Sequence, residues 1–508
     1  MTTIFSALNT ANTALQANQL VIETIGHNVA NGSTPGYSVQ TANLQAMPPY
    51  TVPSMMNHVG AGQIGTGVRV TTIGRGRDAL LDGQFRYENQ YAGQYTAQNT
   101  TYTQLQGILN EPSTSGLSAR MSAFWNGWQA LADDPTNMGA RAQVQQTGVA
   151  LASSLNSDAQ QLTQAQQTAD NYVTNTVTTI NNLASQISNL NGQISAVVAT
   201  GQQPNDLLDQ RDQMVDQLSN LVPITYATQT NGTVTINLAT QVPGSTLLQV
   251  ARPSEAPLVS GINTNLLVAS PMGVPTYADA QPYIDTAVIP SLTAPVGGQL
   301  GAYINLRDKV IGGPTGLISQ LNSITQALVQ TVNTQHALGF DLNGNTNKPF
   351  FNVAPPAAAL TAPWSTVATV TAANITVDPA IVANPQAIAA ANASGAVGEG
   401  SNAQAISNLR TQVGAVATPL AGFTIQQGYD NTITQLGSIA QQVAANDHAQ
   451  GVVMSSLTAQ RQSVGGVNLD EQMTNLIIFQ HSYSAAARVV TTVDSMLDTI
   501  INHMGLGN

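Results

Sequence analysis

This sequence has no cysteine, few charged residues and no long apolar run. The absence of cysteine excludes disulfide bonds and thiolate metal sites, and it fits either side of a cell envelope. No run of roughly 18 apolar residues is present, so we expect no membrane-spanning helix. Only 8% of the 508 residues are charged, whereas about a quarter are charged in an average soluble domain. Such a surface can be buried against many neighbours, because few charges must be desolvated or paired.

Basic residues and a cleaved export signal are also lacking. The chain has 14 Lys and Arg against 26 Asp and Glu, a net charge of −12, and no basic cluster along the sequence. Nucleic acid is therefore not an expected partner, because phosphate binding needs a basic face. The N-terminus, MTTIFSALNT, lacks the basic and apolar segments of a cleaved signal peptide.

Motifs for catalysis or metal binding are weak or absent. Residues 60–65 fit GxGxxG, but the residues that follow read as a strand, whereas a dinucleotide loop opens a helix, so we expect a turn. Residues 341–345 resemble a calcium loop whose glycine comes too early and whose last glutamate is missing, which favours an Asx turn. No HExxH, GxSxG or P-loop motif occurs. The sequence thus predicts no enzyme, no metal site and no cofactor.

Four carboxylates share one face of a predicted helix: Asp206, Asp209, Asp212 and Asp216, with Arg211 nearby. Paired carboxylates can carry acid–base chemistry where an apolar environment raises a pKa. Nothing apolar surrounds these residues in the sequence, so we predict a solvated helix face.

The two ends of the chain carry matching heptad stripes, in which apolar residues recur at spacings of four and three. That spacing winds a helix around a partner in a left-handed coiled coil. An ordinary amphipathic helix on a globular core is the alternative, but termini are rarely so apolar, and we predict that both stripes form an assembly interface. The N-terminal seam comprises Ile4, Leu8, Ala11, Leu15, Asn18, Ile22, Ile25 and Val29. The C-terminal seam comprises Leu469, Met473, Leu476, Gln480, Tyr483, Ala487, Val490, Asp494, Leu497, Ile501 and Met504.

The region between the seams reads as a helical body with an insert. Helical patterns run from residue 78 to 221, with breaks before Pro112 and Pro135. Gly201 and Pro204 reverse the chain between two predicted helices, residues 153–198 and 206–221. Alternating residues after Asn231–Gly232 indicate strands. Helices resume at residues 316–336 and from residue 401 to the C-terminus.

We therefore predict a mainly α fold with a β-rich insert, in a nested multidomain arrangement. The terminal helices, residues 1–45 with 460–508, pair as an α-helical coiled coil. A helical-bundle middle domain comprises residues 46–223 with 306–351 and 401–459. Residues 224–305 form an outer β-rich domain. Residues 352–400 form an irregular segment of strands and turns, associated with the middle or the outer domain.

The N-terminal seam ends in a distinctive turn. Asn-Gly favours a left-handed helix end and Pro-Gly favours a turn. The string comprises Asn28, Val29, Ala30, Asn31, Thr34, Pro35, Gly36 and Tyr37. It resembles the N-terminal signature of flagellar rod, hook and hook-associated proteins, and residues 466–477 resemble the matching C-terminal signature.

Three internal stretches resemble the hook-associated protein 1 family within that superfamily. They are residues 205–213, residues 298–301 with 306–308, and residues 333–336 with 339–344 and 349–351. The resemblance implies a bacterial flagellar axial protein, exported by the flagellar type III apparatus without a cleaved signal. It would assemble outside the cell as a ring that joins hook to filament. The implied partners are further copies of the chain, the hook protein, the second hook–filament junction protein and a cytoplasmic export chaperone.

Three other functions are open at this stage. A flagellar hook or distal-rod protein would share both terminal signatures but not the internal stretches. A secreted enzyme carried on the same ends would need a catalytic motif. A secreted coiled-coil adhesin would carry one continuous stalk instead of a seam at each end.

Overall fold

The computed structural model describes residues 4–49, 65–238, 297–354, 360, 369–413 and 422–500, and the backbone of six two-residue strands between residues 240 and 284. Helices dominate these residues. The elements in chain order are α1 (Ile4–Asn31), β1 (Gln40–Ala46), β2 (Val68–Arg75), α2 (Ala79–Leu109), α3 (Leu117–Asp133), α4 (Met138–Ala199), α5 (Asn205–Leu221), β3 (Ile224–Thr228), β4 (Val234–Leu238), β5 (Thr240–Gln241), β6 (Leu248–Gln249), β7 (Val259–Ser260), β8 (Asn263–Thr264), β9 (Leu267–Val268), β10 (Tyr283–Ile284), α6 (Gly298–Asn305), a π-helical segment (Leu306–Ile311), α7 (Leu317–Leu338), β11 (Phe351–Val353), β12 (Ile375–Val377), α8 (Pro379–Ala383), a 3₁₀ turn (Pro385–Ala387), α9 (Ser401–Asn408), α10 (Ile425–Gly465) and α11 (Leu469–Asp498).

The helix boundaries follow local sequence signals. Helix α4, which is 62 residues long and about 90 Å at 1.5 Å per residue, begins where the Asn137 side chain accepts hydrogen bonds from the amides of Gly139 and Ala140. Such a cap satisfies amides that have no partner within the helix. The predicted breaks before Pro112 and Pro135 and the reversal between α4 and α5 are confirmed. The predicted return of helical structure at residue 401 is confirmed for the described residues, which form three separate helices, α9, α10 and α11.

A first hydrophobic core lies among α3, the N-terminal half of α4, α7, α9 and the start of α10. Its centre is a cluster of aromatic rings that are at most 1% exposed: Phe124, Trp125, Trp128, Phe350 and Phe351. The β11–β12 pair packs on the same core. The described part of residues 352–400 therefore packs on the helical body.

A second core lies between the C-terminal half of α4, helices α5 and α6, and the β3–β4 hairpin. The turn of that hairpin contains Gly232 with φ +80°, as Asn231–Gly232 predicted. The predicted β insert extends too far along the chain, because residues 298–305 form a helix. Leu300 and Ile304 lie four residues apart and both face the second core, which explains the helical periodicity.

Two predicted turns have separate outcomes. The Asx turn at residues 341–345 is confirmed, because Asp341 Oδ1 accepts hydrogen bonds from the amides of Asn343 at 2.7 Å and Asn345 at 2.8 Å. Most of the GxGxxG string, residues 60–64, lies outside the described residues. The strand expected after it is β2.

One buried carboxyl in the body opposes folding at neutral pH. Asp158 on α4 is 8% exposed. Burial, and then the negative charge of Glu111, raise the pKa of Asp158 from 3.8 to about 7. The folded chain therefore binds this proton more tightly than the unfolded chain does. The resulting penalty is complete above about pH 7 and disappears as the pH falls towards about 4.

We expect Asp158→Asn to raise the free energy of unfolding by about 1–3 kcal/mol at pH 8, because it removes a buried charge and keeps the side-chain shape. The gain should shrink as the pH approaches 4. Urea denaturation at the two pH values measures the difference. Asp170→Asn, which removes a partner of Arg307, is the matched control and should destabilise at both. A loss of stability for Asp158→Asn at pH 8 would contradict the expectation.

Candidate functional site

The terminal helices α1 and α11 lie side by side and run in opposite directions. Asn28, near the end of α1, donates a hydrogen bond to Gln472, near the start of α11, at 3.0 Å. The two helices contact each other more extensively than most element pairs of the chain. The expected pairing of the chain ends is thus present within a single subunit.

The N-terminal seam is rotated relative to the face that α1 buries. Ile25 and Ala11 are buried, Ile4, Leu8, Leu15, Asn18 and Ile22 are half-buried, and Val29 is 38% exposed. The other buried positions are Ala17, Val21, Thr24 and Asn28. The small residues Ala17 and Thr24 are buried, whereas the larger Leu15 and Ile22 are only half-buried.

The C-terminal seam matches the buried face of α11 at alternate positions only. Leu476, Val490 and Leu497 are half-buried and Tyr483 is 39% exposed, but Leu469 and Met473 are exposed, and Ile501 and Met504 lie outside the described residues. Gln472 and Val493 are buried, Phe479 and Ala486 are half-buried, and each of these four lies one residue before a predicted seam position. Apolar residues occur in two overlapping heptad frames of this helix. The sequence prediction used the frame that contains Leu469 and Met473, whereas the buried positions Gln472 and Val493 belong to the other frame.

Helix α11 leaves two further apolar strips in solvent. Leu469, Met473 and Ile477 are each about half exposed, and so are Ile478, Val489, Met496 and, just beyond the end of the helix, Ile500. At roughly 100° per residue, the two sets lie on opposite sides of the stripe that faces α1. We call them the first and second flank of α11. A helix that is apolar on its flanks as well as on its buried stripe has surface for more than one partner helix.

Asn28 ties four segments of the chain together. Its Nδ2 donates to the backbone oxygen of Gln40 and to Gln472, and its Oδ1 accepts from the Tyr37 hydroxyl at 2.8 Å and from the Gln40 amide at 2.9 Å. Two donors and two acceptor positions are the whole capacity of an amide side chain. Asn28 is 1% exposed. It therefore fixes α1, the signature loop, β1 and α11 relative to one another.

The remaining signature residues shape the loop between α1 and β1. The Thr34 amide donates to Asn31, and the Tyr37 amide donates to Thr34. Gly36 has φ +82°, a conformation that glycine adopts at low cost. The left-handed helix end expected at Asn31–Gly32 is wrong, because neither residue has a positive φ. Val29, Ala30, Thr34, Pro35 and Gly36 are all exposed in the single subunit.

Three chain segments cross at one point: the α1–β1 connection, the β2–α2 connection and the junction of α10 with α11. The Val39 amide donates to the Gly465 oxygen at 2.8 Å, and the Gly76 amide donates to the Val39 oxygen at 2.7 Å. A Cβ on Gly76 would lie 2.7 Å from Val39 Cγ1, and one on Gly465 would lie 2.5 Å from the Gly76 oxygen. Only glycine fits at such distances. We call this crossing, together with the Asn28 hydrogen bonds, the joint.

An ionic cluster stands beside the joint. It contains five of the 14 basic residues of the chain and draws them from β2, the β2–α2 connection, α2, α5 and α10. The arginines are Arg75, Arg77, Arg86, Arg211 and Arg461, and the carboxylates are Asp82, Asp209, Asp212 and Asp216.

The cluster overturns the prediction of a solvated carboxylate face on α5. Asp209 and Asp212 are 5% and 8% exposed, and among the four acids only Asp206 is exposed. Asp209 accepts from Arg75 Nη1 at 2.7 Å and from the Ser38 hydroxyl at 2.8 Å. The sequence did not reveal this because the arginines come from positions far apart in the chain, and only the fold brings them together.

The charges in the cluster compensate one another. Burial alone would raise the pKa of Asp212, but the guanidinium groups around it, led by Arg211 and Arg75, outweigh that effect and hold the pKa below its ordinary value. Asp212 is therefore ionised at neutral pH. Burial, and then the charges of Asp206 and Asp209, raise the pKa of Tyr37, so its hydroxyl keeps the proton it donates to Asn28.

Across the described ranges, no group of three His, Asp or Glu side chains is placed to hold a metal ion. No helix in the described part of the chain is long and apolar enough to cross a membrane.

We expect Asn28→Ala to loosen the joint, because it leaves the Gln40 amide, the Tyr37 hydroxyl and Gln472 without their partner. A buried group left unpaired costs about 1–3 kcal/mol, so amide hydrogen exchange at Gln40 should accelerate by about tenfold or more. Gln19→Ala removes only an exposed hydrogen bond to Glu23 and serves as the control. Unchanged exchange in Asn28→Ala would show that Asn28 does not hold the joint.

Family models match three parts of the chain. The model described as the flagellar hook-associated protein FlgK helical domain matches residues 102–351. The flagellar basal body rod FlgEFG protein C-terminal model matches residues 460–503, and the flagella basal body rod protein model matches residues 8–37. The last two matches contain α11 and most of α1, the helices that meet at the joint.

Curated relatives align along almost the whole chain. Flagellar hook-associated protein 1 of Bacillus subtilis is 32% identical over 100% of both chains, and that of Escherichia coli is 25% identical over 98% of this chain and 99% of its own. The solved structure of the flagellar hook junction protein FlgK from Burkholderia pseudomallei superposes with a TM-score of 0.57 at 19% identity, covering 75% of this chain and 100% of that chain, which shows a shared fold. By this full-length similarity the chain belongs to the flagellar hook-associated protein 1 family.

Proposed function

We propose that this protein forms the junction ring between the flagellar hook and filament and is required for filament assembly. The observation that carries the proposal is α11, which pairs with α1 inside the subunit and still exposes two apolar flanks. Two different flanks on one helix suit head-to-tail contacts between copies, and such contacts close into a ring or continue as a helix.

Burial of the flanks supplies the driving force for assembly. Each fully buried Leu, Ile or Met contributes about 1.5–3 kcal/mol, and the first flank alone presents Leu469, Met473 and Ile477. The cost of ordering the contact is offset only when several side chains are buried together. Contacts with the hook protein and with the second junction protein would use the same principle at the two ends of the ring.

In this proposal the helical body forms the outer wall of the ring. Its surface is charge-poor, and nine of the 40 charged residues of the chain lie in the ionic cluster. The β3–β4 hairpin packs on α4 and α5 and reaches the ionic cluster, where Arg211 Nη1 donates to the Gly232 oxygen at 2.6 Å. The β-rich insert that begins with this hairpin would project outwards. A purely structural role fits a family of flagellar components. The second candidate is a hook or distal-rod protein, and the match of residues 102–351 to a hook-associated protein domain does not support it.

Export precedes assembly in this proposal. The chain would leave the cytoplasm through the flagellar type III apparatus and reach an extracellular position at the hook tip. A chain with such apolar terminal helices needs a partner that covers them beforehand. A small export chaperone that holds α11 in a hydrophobic groove, with anchors at helical spacing such as Leu476, Tyr483, Val490 and Leu497, is the natural form of that partner.

The junction role is tested in a strain that lacks the gene. We expect hooks without filaments in electron micrographs and filament protein in the medium, and restoration by the wild-type gene. Met473→Asp with Ile477→Asp should fail to restore filaments, because buried unpaired charges on the first flank cost several kcal/mol. Its melting temperature should stay within about 2 °C of the wild type, since both positions are exposed in the subunit.

The matched control is Val452→Asp on α10, which is 60% exposed but belongs to neither flank. It should restore filaments. Normal filaments from the flank variant would contradict the assembly role of α11, and a large fall in its melting temperature would show that the two side chains serve folding instead.

The chaperone proposal is tested by calorimetry with the full-length chain. Val490→Asp with Leu497→Asp should weaken chaperone binding by at least about tenfold, because two anchors become charged. Val21→Asp on α1 also disturbs the α1–α11 pair, since Val21 is buried, but it should leave binding unchanged. Equal loss in both variants would mean that the chaperone recognises the helix pair and not α11 alone.

A further inference from the structure

His336, near the end of α7, is a titratable side chain buried in the first hydrophobic core. It has no exposed surface. The rings of Trp128 and Phe350 meet it edge to face, with centroids 6.1 Å and 5.7 Å away. An apolar environment of this kind disfavours a charged imidazole. The folded body therefore accommodates His336 in its neutral form.

The two ring nitrogens of His336 have backbone partners of opposite kinds. Nδ1 lies 2.8 Å from the carbonyl oxygen of Lys348, which can only accept a hydrogen bond. Nε2 lies 3.0 Å from the amide nitrogen of Ala389, which can only donate one. Nδ1 must therefore carry the proton and Nε2 the lone pair. The surrounding backbone thus selects one tautomer.

The amide that donates to His336 belongs to a short buried segment, residues 388–391, which we call the strap. The strap lies against the end of α7. Its carbonyl oxygens accept hydrogen bonds from Arg141 Nη1 at 2.7 Å, from Asn402 Nδ2 at 2.7 Å and from the Phe340 amide at 2.8 Å. His336 is the side chain that accepts a hydrogen bond in return, so it completes the attachment of the strap to α7.

The charged groups that face His336 come from three other parts of the body. Arg141 lies on α4, Asp341 in the α7–β11 connection and Asp378 at the start of α8. Burial lowers the pKa of His336 from 6.5 to about 4, and the opposing effects of the Lys348 carbonyl and the two carboxylates are smaller. The stability that this site contributes is therefore complete above about pH 6.5, and it is lost as the pH falls towards 4.

A proton on Nε2 would conflict with the strap directly. The imidazole N–H and the Ala389 N–H would then point at each other, and neither could accept. The imidazolium would also add a second positive charge near Arg141, which is 1% exposed. Movement of the strap away from α7 removes the opposed donors and lets water reach Nε2. The conflict is thus relieved by a local change.

The neighbouring core does not depend on the same hydrogen bond. One turn earlier on α7, Asn333 Oδ1 accepts from the amides of Phe350 and Phe351 at 2.9 Å and 2.8 Å, and Asn333 Nδ2 donates to the Phe351 oxygen at 2.9 Å. None of these groups titrates in this pH range. Strand β11 therefore stays attached to α7 when the strap leaves.

We propose that His336 is an acid-sensitive latch, whose neutral Nδ1–H tautomer holds the strap on α7 and whose protonation at Nε2 releases the strap while the helical body stays folded. The latch lies within the body, and it does not rest on the proposed function.

The tautomer is tested by nuclear magnetic resonance of the full-length chain labelled with ¹⁵N at its six histidines. The signal that disappears in His336→Gln identifies His336. Long-range ¹H–¹⁵N spectra at pH 7 should show the Nδ1–H tautomer, whereas a free imidazole prefers Nε2–H. The ring should stay neutral until the pH approaches 4. An Nε2–H tautomer at pH 7, or protonation near pH 6.5, would overturn the proposal.

Release of the strap is tested by hydrogen exchange and mass spectrometry at pH 7 and pH 4.5, corrected for the intrinsic exchange rates. Protection of peptides that contain the strap should fall at least about tenfold at pH 4.5, and peptides from α3 should stay protected. Acid removes the penalty at Asp158, so that residue cannot cause the loss. Unchanged strap protection, or equal loss in α3, would contradict a local latch.

A variant and its control assign the effect to His336. His336→Gln has no titratable ring, so its strap should be equally protected at both pH values. His448→Gln on α10 replaces an exposed histidine and should behave as the wild type does. An acid-dependent loss that persists in His336→Gln would overturn the proposal. The wild-type exchange profile decides the question even if His336→Gln does not fold.

Discussion

Both ends of the chain leave the helical body at one place, and the position of the terminal helices depends on how that crossing is closed. Two backbone hydrogen bonds join residues 39, 76 and 465 there. The close approach is possible because Gly76 and Gly465 have no side chain, and Asn28 completes it with four hydrogen bonds. The paired helices, the hairpin and the start of α2 all take their direction from this small region.

The distribution of charge follows from the same constraint. The exposed flanks of α11 and much of the body surface have few charges, which suits contacts that must exclude water. Nine of the 40 charged residues of the chain instead make directional contacts with one another, in the cluster around Asp209, Asp212 and Asp216. Non-directional apolar packing thus suits the exposed contact surfaces of the chain, and directional polar bonds hold the region of the joint.

Sequence patterns predicted the features that depend on neighbouring residues. Proline and glycine signals located the ends of α2, α3 and α4, and the turn at Gly232 was placed correctly, because these are local backbone effects. Heptad spacing predicted paired terminal helices but not the face of α11, since Met473 and Phe479 fit different frames of the same repeat. The ionic cluster was predicted wrongly as a solvated face. Its arginines at residues 75, 86 and 461 meet Asp212 and Asp216 only after folding, and no local pattern contains that information.

Helix α4 contributes to both hydrophobic cores without interruption. Its residues from Val144 to Ala165 belong to the first core, and those from Val173 to Ile187 belong to the second. Separating the cores would require breaking consecutive main-chain hydrogen bonds in the middle of one helix, in addition to exposing the apolar side chains on either side. The two cores are thus connected by one unbroken helix. Loss of structure in one exposes the adjoining turns of α4 and weakens the other, which makes the body a single cooperative unit despite its two separate interiors.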